Sequence, residues 1–209
     1  MMKILVVTGG IGSGKSEVCR ILGELGVRYI YDADSKAKEL YVSHKTLLKD
    51  IEDQLGQSFC HEGVFQPRLL AARIFSDKSA LAKVEELLFP AMIEDFNQFT
   101  DGAGQDEIVV FESATILEKP QFDGFADKVL LVDAPYELRL ERACRRDATT
   151  REAVEARMGN QVLMNELSAG YLDPRVDYRL INDGPRGQLK DKVMKAKTAL
   201  FEGCLKLNY

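Results

Sequence analysis

Apolar positions along the chain follow two alternating patterns, short continuous runs and longer stretches at helical spacing. The run Lys3–Thr8 is rich in β-branched residues and predicts a buried strand. Residues 17–25 then place their apolar side chains on one helical face, and Gly26 follows as a stop signal. Further strands are predicted at 27–31, 108–111, 128–133 and 176–181. Strands that alternate with helices predict an α/β fold with a parallel sheet.

The middle of the chain shows helical periodicity almost throughout. Helices are predicted at 35–42, 44–55, 67–75 and 79–99, with an irregular turn or small hairpin at 59–68. Pro90 lies inside the last of these helices and is expected to break or kink it. Because this part is so largely helical, we expect residues 36–100 to form an insertion beside the sheet rather than a separate domain.

The last third of the chain predicts three more helices. The first runs from Pro135 to about Cys144 and should be broken at 145–148. Thr149 and Glu152 have the spacing of a capping box, which predicts a helix toward Gln161 and beyond. An amphipathic helix at 188–205 is predicted to close the fold.

The segment between the first strand and the first helix reads GGIGSGKS from Gly9 to Ser16 and fills the pattern G-x-x-x-x-G-K-[ST]. Glycines allow left-handed backbone and leave the loop N–H groups open to an anion. Lys15 supplies a charge for the β- and γ-phosphates, and the Ser16 hydroxyl is placed to hold Mg²⁺. A glycine-rich turn that only joins strand to helix is the alternative. The order of strand, loop and helix favours an ATP or GTP site.

Composition narrows the class of protein. The 209 residues can bury one substantial core, and no apolar run reaches the length of a membrane span. The four scattered cysteines and two histidines do not suggest zinc or disulfides, so a reducing cytoplasm is expected. A net charge of −5 argues against broad nucleic-acid binding. No obligate protein partner is evident from the sequence.

Two aspartates follow the second predicted strand. Ligands bind at the carboxyl edge of open α/β sheets, so Asp32 or Asp34 can face the terminal phosphate there. A phosphoryl-transfer enzyme needs such a carboxylate to orient or deprotonate a hydroxyl group. The alternative is that both cap the next helix, and Asp34 before Ser35 is a credible N-cap.

Arginines cluster around the predicted helix break near residue 145. They are Arg139, Arg142, Arg145, Arg146 and Arg151. Mobile arginines can neutralise charge on a transferring phosphoryl group, and Arg142 and Arg146 share one helical face as lid residues would. The alternative is a solvated face, of which a Glu141–Arg145 pair would be typical. The chain has no N-K-x-D motif and no Asp in the strand at 108–111, which favours a small-molecule kinase over a GTPase or motor ATPase.

The chain resembles the dephospho-coenzyme A kinase family over nearly its whole length. The specific match is TGGIGSGKS from Thr8 to Ser16, followed by DAD from Asp32 to Asp34. Weaker matches are Phe65–Arg68, 116–118, 142–161 and 176–184. The resemblance implies ATP-dependent phosphorylation of the ribose 3′-hydroxyl of dephospho-coenzyme A, the last step of coenzyme A synthesis. It also implies a single P-loop kinase domain, 1–209, with a core at about 1–35 and 105–209 that contains a five-stranded parallel sheet flanked by helices. A helical substrate lobe at about 36–104 and a lid at about 142–165 would complete it.

The resemblance also assigns site residues, with Asp34 as general base and Lys15, Arg142 and Arg146 as the other catalytic groups. Nucleotide contacts are expected from Gly10, Ile11, Gly12, Ser13, Gly14, Lys15, Ser16, Glu17, Arg142 and Asn182. The substrate is expected to meet Asp34, Arg68, Glu118 and Gln161, and Ser16 to meet Mg²⁺. ATP and Mg²⁺ are the expected cofactors.

The chain departs from the family pattern at three places. Glu17 replaces a usual Thr, which should weaken nucleotide binding. Phe89 replaces a His, and Glu112-Ser113-Ala114 replaces a Pro-Leu-like run, so substrate contacts there are in doubt. Two alternatives stay open from the residues alone: another nucleoside or nucleotide kinase, and a nucleotide-binding regulator that acts through a partner.

Overall fold

A computed structural model describes residues 1–201 and contains a five-stranded parallel sheet. Its strands are β1 (Lys3–Thr8), β2 (Tyr29–Asp32), β5 (Ile108–Glu112), β6 (Lys128–Asp133) and β7 (Tyr178–Ile181). A separate antiparallel hairpin joins β3 (Cys60–His61) and β4 (Val64–Phe65). The order in the sheet is β2-β5-β1-β6-β7, which puts β1 in the centre. The predicted α/β fold is confirmed.

Helices connect and cover these strands. They are α1 (Lys15–Glu24), α2 (Ala33–Ser43), α3 (Leu47–Leu55), α4 (Pro67–Ser76), α5 (Lys78–Phe99), α6 (Tyr136–Asp147), α7 (Arg151–Gly159), α8 (Val162–Ser168) and α9 (Arg186–Phe201). Short 3-10 turns lie at Ile116–Glu118 and Pro120–Phe122. Within residues 1–201, no helix has both the length and the apolar character to cross a membrane.

The chain divides into two compact units. The first comprises Met1–Tyr31 and the described chain from Ala103 onward, and the second is Asp32–Gly102. The first unit thus contains the phosphate loop, and the second contains the helical insertion. The functional division into core, substrate lobe and lid stays a prediction, because compactness does not show what a unit binds.

The first unit has a hydrophobic layer on each face of the sheet. Leu5 and Val7 alternate along β1 and are fully buried with residues of α1 and α9. The intervening Val6 pairs in register with Phe111 of β5, so both point to the opposite face. There the Phe111 ring contacts the rings of Tyr31 and Phe125, with centroids 5.3 and 5.1 Å away. Burial on both faces explains the continuous apolar runs in these strands.

The second unit is organised around α5. This helix contacts α2, α3 and α4, and its buried side chains include Val84 and Phe96. We predicted that Pro90 breaks or kinks this helix. A break is wrong, since α5 continues as one helix from Lys78 to Phe99, and the kink stays a prediction. Proline removes one helical hydrogen bond, but its neighbours Phe89 and Ala91 are buried, and their packing favours the continuous helix.

The predicted helix toward Gln161 is two helices in the structure. Thr150 rather than Thr149 is the N-cap of α7, and its side chain accepts a bond from the Ala153 amide. The helix then ends at Gly159, and α8 begins after Gln161. The break frees the Gln161 side chain for a contact described below. The predicted closing helix is α9, and its expected end at residue 205 lies outside the described residues.

Candidate active site

The phosphate loop joins β1 to α1 and ends at the first turn of the helix. Gly14 is the N-cap of α1, has φ of 98°, and makes no side-chain capping hydrogen bond. A helix N-terminus without a side-chain cap presents backbone N–H groups and the positive end of the helix dipole. This arrangement binds phosphate well.

Glycines in the loop are required because α6 lies directly against it. A Cβ atom at Gly12 would lie 2.0 Å from the backbone carbonyl oxygen of Arg139, and the φ of Gly12 is 76°. A Cβ atom at Gly10 would lie 2.1 Å from Nη2 of Arg139. A side chain at Gly12 would displace α6 or the loop, and a side chain at Gly10 would displace the Arg139 guanidinium. The glycine pattern therefore reflects packing as well as phosphate access.

Distant side chains fix the loop backbone. The Ile11 amide donates to Oε1 of Gln161 at 2.8 Å, and the Ile11 carbonyl accepts from Nε of Arg139 at 3.1 Å. The Asn182 side-chain amide donates to the Ser13 carbonyl at 2.8 Å. All three supporting side chains are buried. The loop is thus preorganised, and Gln161 and Asn182 contact its backbone.

Ser16 lies beside the carboxylate of Glu112, a residue that the sequence marked only as a departure from the family pattern. Its hydroxyl donates to Oε1 of Glu112 at 2.7 Å, and Glu112 is 7% exposed. The strand predicted at 108–111 carries no Asp, but β5 extends to Glu112 and neighbours β1. Hydroxyl and carboxylate oxygens suit a hard cation such as Mg²⁺. Within the described residues, no group of three or more His, Cys, Asp and Glu could hold a metal.

Glu17 follows the loop and is held in an ion-pair network. Its carboxylate accepts from Arg20 at 2.6 Å and from Arg186 at 2.7 Å. The hydrogen bond from Arg20, with a further contribution from Arg186, lowers the pKa of Glu17 below its usual value. The negative charge that replaces a hydroxyl here is therefore compensated by two guanidinium groups. The expected weakening of nucleotide binding stays a prediction.

A shallow cleft of about 370 Å³ opens beside this network. It is lined by Gly14, Glu17, Arg20, Arg142, Asn182, Gly184, Arg186 and Leu189. Nη1 of Arg142 donates to the Asn182 carbonyl at 3.0 Å, and burial lowers the pKa of Arg142. The cleft thus brings Arg142 and Asn182, both predicted nucleotide contacts, together with the helix N-terminus.

The other arginines of the predicted lid make ion pairs at the surface. Arg146 and Arg157 both bond to Asp147, each at 2.7 Å, and lower its pKa far below the usual value. Arg151 bonds to Glu137 and Glu155, both at 2.9 Å. The expected surface pair between Glu141 and Arg145 is confirmed.

Arg139 corrects the sequence argument most clearly. We grouped it with the mobile arginines, but its side chain is 1% exposed and lies beneath the phosphate loop. The helical spacing of the run hid this, because Arg139 occupies the inner face of α6 with Leu140 and Ala143.

The remaining predicted site residues belong to other elements of the chain. Asp32 is the N-cap of α2 and accepts from the amides of Asp34 and Ser35, so Asp34 is not the cap. Asp34 lies in the first turn of α2, and Arg68 is exposed at the start of α4, both in the second unit. In the first unit, Oε1 of Glu118 is buried and has no hydrogen-bond partner among the described residues.

Comparison with known proteins identifies the family. The dephospho-CoA kinase family model matches residues 3–171. The dephospho-CoA kinase of Porphyromonas gingivalis is 36% identical over 170 residues, or 81% of this chain and 83% of that protein. The crystal structure of TT1252 from Thermus thermophilus is 28% identical, with a TM-score of 0.78 over 94% of this chain and 96% of that one. A dephospho-CoA kinase from Campylobacter jejuni, 22% identical with a TM-score of 0.61 over 97% and 99% of the two chains, shares the fold. The chain belongs to the dephospho-CoA kinase family.

Proposed function

We propose that this kinase transfers the terminal phosphoryl group of ATP to the ribose 3′-hydroxyl of dephospho-coenzyme A. The observation that carries the proposal is a preorganised phosphate loop at an uncapped helix N-terminus in a chain of this family. The product is coenzyme A, so the reaction is the last step of its synthesis. The proposal takes the cytoplasm as the place of reaction and requires no nucleic acid or obligate protein partner.

The first unit supplies the nucleotide contacts in this proposal. Amides of the loop and of Glu17 donate to the phosphates, and Lys15 adds a positive charge at the β- and γ-phosphates. Arg142 and Asn182 lie in the cleft next to Gly14, where the rest of the nucleotide would extend. Glu17 can take part through its backbone, because its carboxylate is bound by arginines.

Mg²⁺ would be held by the Ser16 hydroxyl, with the Glu112 carboxylate next to it. When bound there, the ion would neutralise charge on the β- and γ-phosphates. Glu112→Gln keeps the size of the side chain and removes its charge. We expect it to weaken binding of ATP in the presence of Mg²⁺ by about tenfold, from the loss of one charge beside the cation. Mg²⁺-free ATP should bind no more weakly than to the wild type, since a negative charge near the phosphates is removed. Equal losses of ATP affinity with and without Mg²⁺ would show that Glu112 does not help to hold the cation.

Asp34 is proposed as the general base. It would accept the proton of the 3′-hydroxyl while the ribose O3′ forms a bond to the γ-phosphorus and the bond from that phosphorus to the β–γ bridging oxygen breaks. ADP leaves with that oxygen. Arg142 and Arg146 would neutralise charge on the transferring group, and Arg146 can exchange its exposed partner Asp147 for phosphate. Arg68, Glu118 and Gln161 are proposed to contact the substrate.

The test is release of ADP from ATP with and without dephospho-coenzyme A. We expect release that depends on the acceptor and that stops when the acceptor is the 3′-deoxy analogue, which binds but carries no hydroxyl at the reacting position. Release that is equal with and without the acceptor would contradict the proposal. A panel of other nucleosides and nucleotides as acceptors would reveal a different kinase specificity.

A further inference from the structure

Arg139 is the most deeply buried charged side chain near the phosphate loop. It is 1% exposed, and its Nε donates to the Ile11 carbonyl at 3.1 Å. Its Nη1 donates to the Ser168 hydroxyl at 2.9 Å. The side chain therefore ties α6 to the loop on one side and to α8 on the other.

The third guanidinium nitrogen of Arg139, Nη2, lies against Gly10 of the loop. Among the described residues, it has no hydrogen-bond partner. A buried N–H group without a partner destabilises a fold, so structures keep few of them. A neutral side chain able to bond Ile11 and Ser168 would avoid this cost. Simple structural support of the loop does not explain why an arginine stands here.

The charges around Arg139 do not cancel. Its nearest carboxylate is Asp133, with Nη1 3.9 Å from Oδ1. Asp133 bonds more closely to Arg179, at 2.6 Å, and it also accepts from the Ser168 hydroxyl. Two guanidinium groups thus share one carboxylate, which leaves one net positive charge beneath the loop. Burial lowers the pKa of Arg139, but an arginine stays protonated because its ordinary pKa is so high.

We propose that Arg139 is a positioning residue whose uncompensated charge, buried behind the phosphate loop, strengthens the binding of polyphosphates. It acts in two ways: it fixes the Ile11 peptide and it raises the electrostatic potential at the helix N-terminus. Coulombic attraction is larger in a buried, poorly hydrated place than at the surface. The attraction grows with the charge of the ligand, so the contribution of Arg139 to binding affinity should increase with each additional phosphate. The inference rests on the proposed function only in that the loop binds a nucleotide.

The test compares Arg139→Gln and Arg139→Lys by calorimetric titration with adenosine, AMP, ADP and ATP, without acceptor substrate. Glutamine retains an N–H donor for the Ile11 carbonyl but has no charge, whereas lysine retains the charge. We expect Arg139→Gln to weaken ATP binding on the order of tenfold, ADP binding less and adenosine binding not at all. Arg139→Lys should keep most of the phosphate-dependent affinity. Arg175→Gln, which removes a guanidinium paired with Asp173 elsewhere, is the control and should bind ATP as the wild type does.

A loss that is equal for AMP, ADP and ATP, or a glutamine variant that binds ATP normally, would overturn the inference. So would a lysine variant as weak as the glutamine variant. If Arg139→Gln does not fold, Asp133→Asn gives the same test with the opposite sign. Removing that negative charge should tighten ATP binding relative to adenosine, and unchanged or weaker binding would contradict the charge argument. These titrations measure binding alone, so failure of phosphoryl transfer would not affect them.

Discussion

The underside of the phosphate loop and the outer face of α6 and α7 use arginine in opposite ways. Beneath the loop, Arg139 is buried and bonded to backbone and hydroxyl groups far away in the chain. On the outer face, Arg146 and Arg151 are half exposed or more and bond to carboxylates. Exposed ion pairs contribute only about 0–1 kcal/mol each, so such arginines can change partners at little cost. Buried ones cannot, because each lost partner leaves a buried N–H group without a hydrogen bond.

The difference separates two tasks in phosphoryl transfer. A phosphate loop with a fixed backbone lowers the free-energy cost of binding a triphosphate, because its N–H donors are already in place. Exchangeable arginines can respond to charge that develops only during the reaction. We therefore expect substitutions beneath the loop to affect folding and nucleotide affinity together. Substitution of Arg146 on the outer face should affect turnover with little effect on stability.

The largest effect is expected at a residue outside both regions. Asp34→Asn should lower kcat by about 100- to 10,000-fold, since it removes the proposed base, and should leave ATP affinity near that of the wild type. Steady-state kinetics and ATP titration would measure the two quantities. A variant that keeps normal kcat would exclude Asp34 as the base. A variant that loses ATP affinity would show that Asp34 contributes to nucleotide binding instead. Asp32→Asn is a companion variant that removes the neighbouring negative charge but keeps the helix cap, because Asn caps helices as well as Asp does.

Gly12→Ala tests the phosphate loop directly. The added methyl group would meet the Arg139 carbonyl and require a left-handed backbone, so we expect a loss of about 2–4 kcal/mol in the free energy of unfolding, with weak ATP binding. Denaturant unfolding and ATP titration measure both. Gly187→Ala in α9 is the matched control, because a Cβ there meets nothing within 4 Å. If Gly12→Ala were as stable as that control, α6 would not confine the loop.

Arg146→Gln tests the exchangeable arginines. We expect kcat to fall by roughly ten- to a hundredfold through loss of transition-state charge neutralisation, with unfolding free energy within about 1 kcal/mol of wild type. Arg151→Gln, whose side chain is bound to Glu137 and Glu155, is the control and should change kcat by less than about twofold. Equal effects from the two variants would mean that Arg146 has no special role.

The smallest effect is expected in the pH dependence of stability. Hydrogen bonds from Arg146 and Arg157 lower the pKa of Asp147 in the folded chain. A group with a lowered folded pKa stabilises the fold above its unfolded pKa, here near 3.8, and this contribution is lost as the pH falls through the folded value. Asp147→Asn should therefore reduce stability at pH 7 by at most about 1 kcal/mol and flatten the acid limb of the unfolding curve. If the stability of the variant still fell steeply at acid pH, other carboxylates would be the cause of that loss.

The sequence predicted the elements whose signals are local. The phosphate loop between β1 and α1, the parallel sheet and the hairpin near Gly63 were all visible as short patterns. Helix breaks were less accessible: the division between α7 and α8 frees Gln161 for a loop contact made 150 residues away. Such a contact depends on tertiary packing, which the pattern in a short stretch of sequence does not reveal.

Two site residues needed the three-dimensional arrangement. Glu112 bonds to Ser16 only because β5 lies next to β1, and sheet order cannot be deduced from strand patterns alone. Arg139 looked like one member of an exposed run until the position of α6 against Gly12 placed it in the interior. In both cases the type of residue was visible in the sequence, but its neighbours were not.

The most direct test of the account is the position of the phosphate in the product. Phosphorus and proton NMR of the product from ATP and dephospho-coenzyme A should show a new phosphate coupled to the hydrogen on the ribose 3′-carbon, in step with ADP formation. A phosphate on any other hydroxyl, or inorganic phosphate as the only new species, would contradict the account.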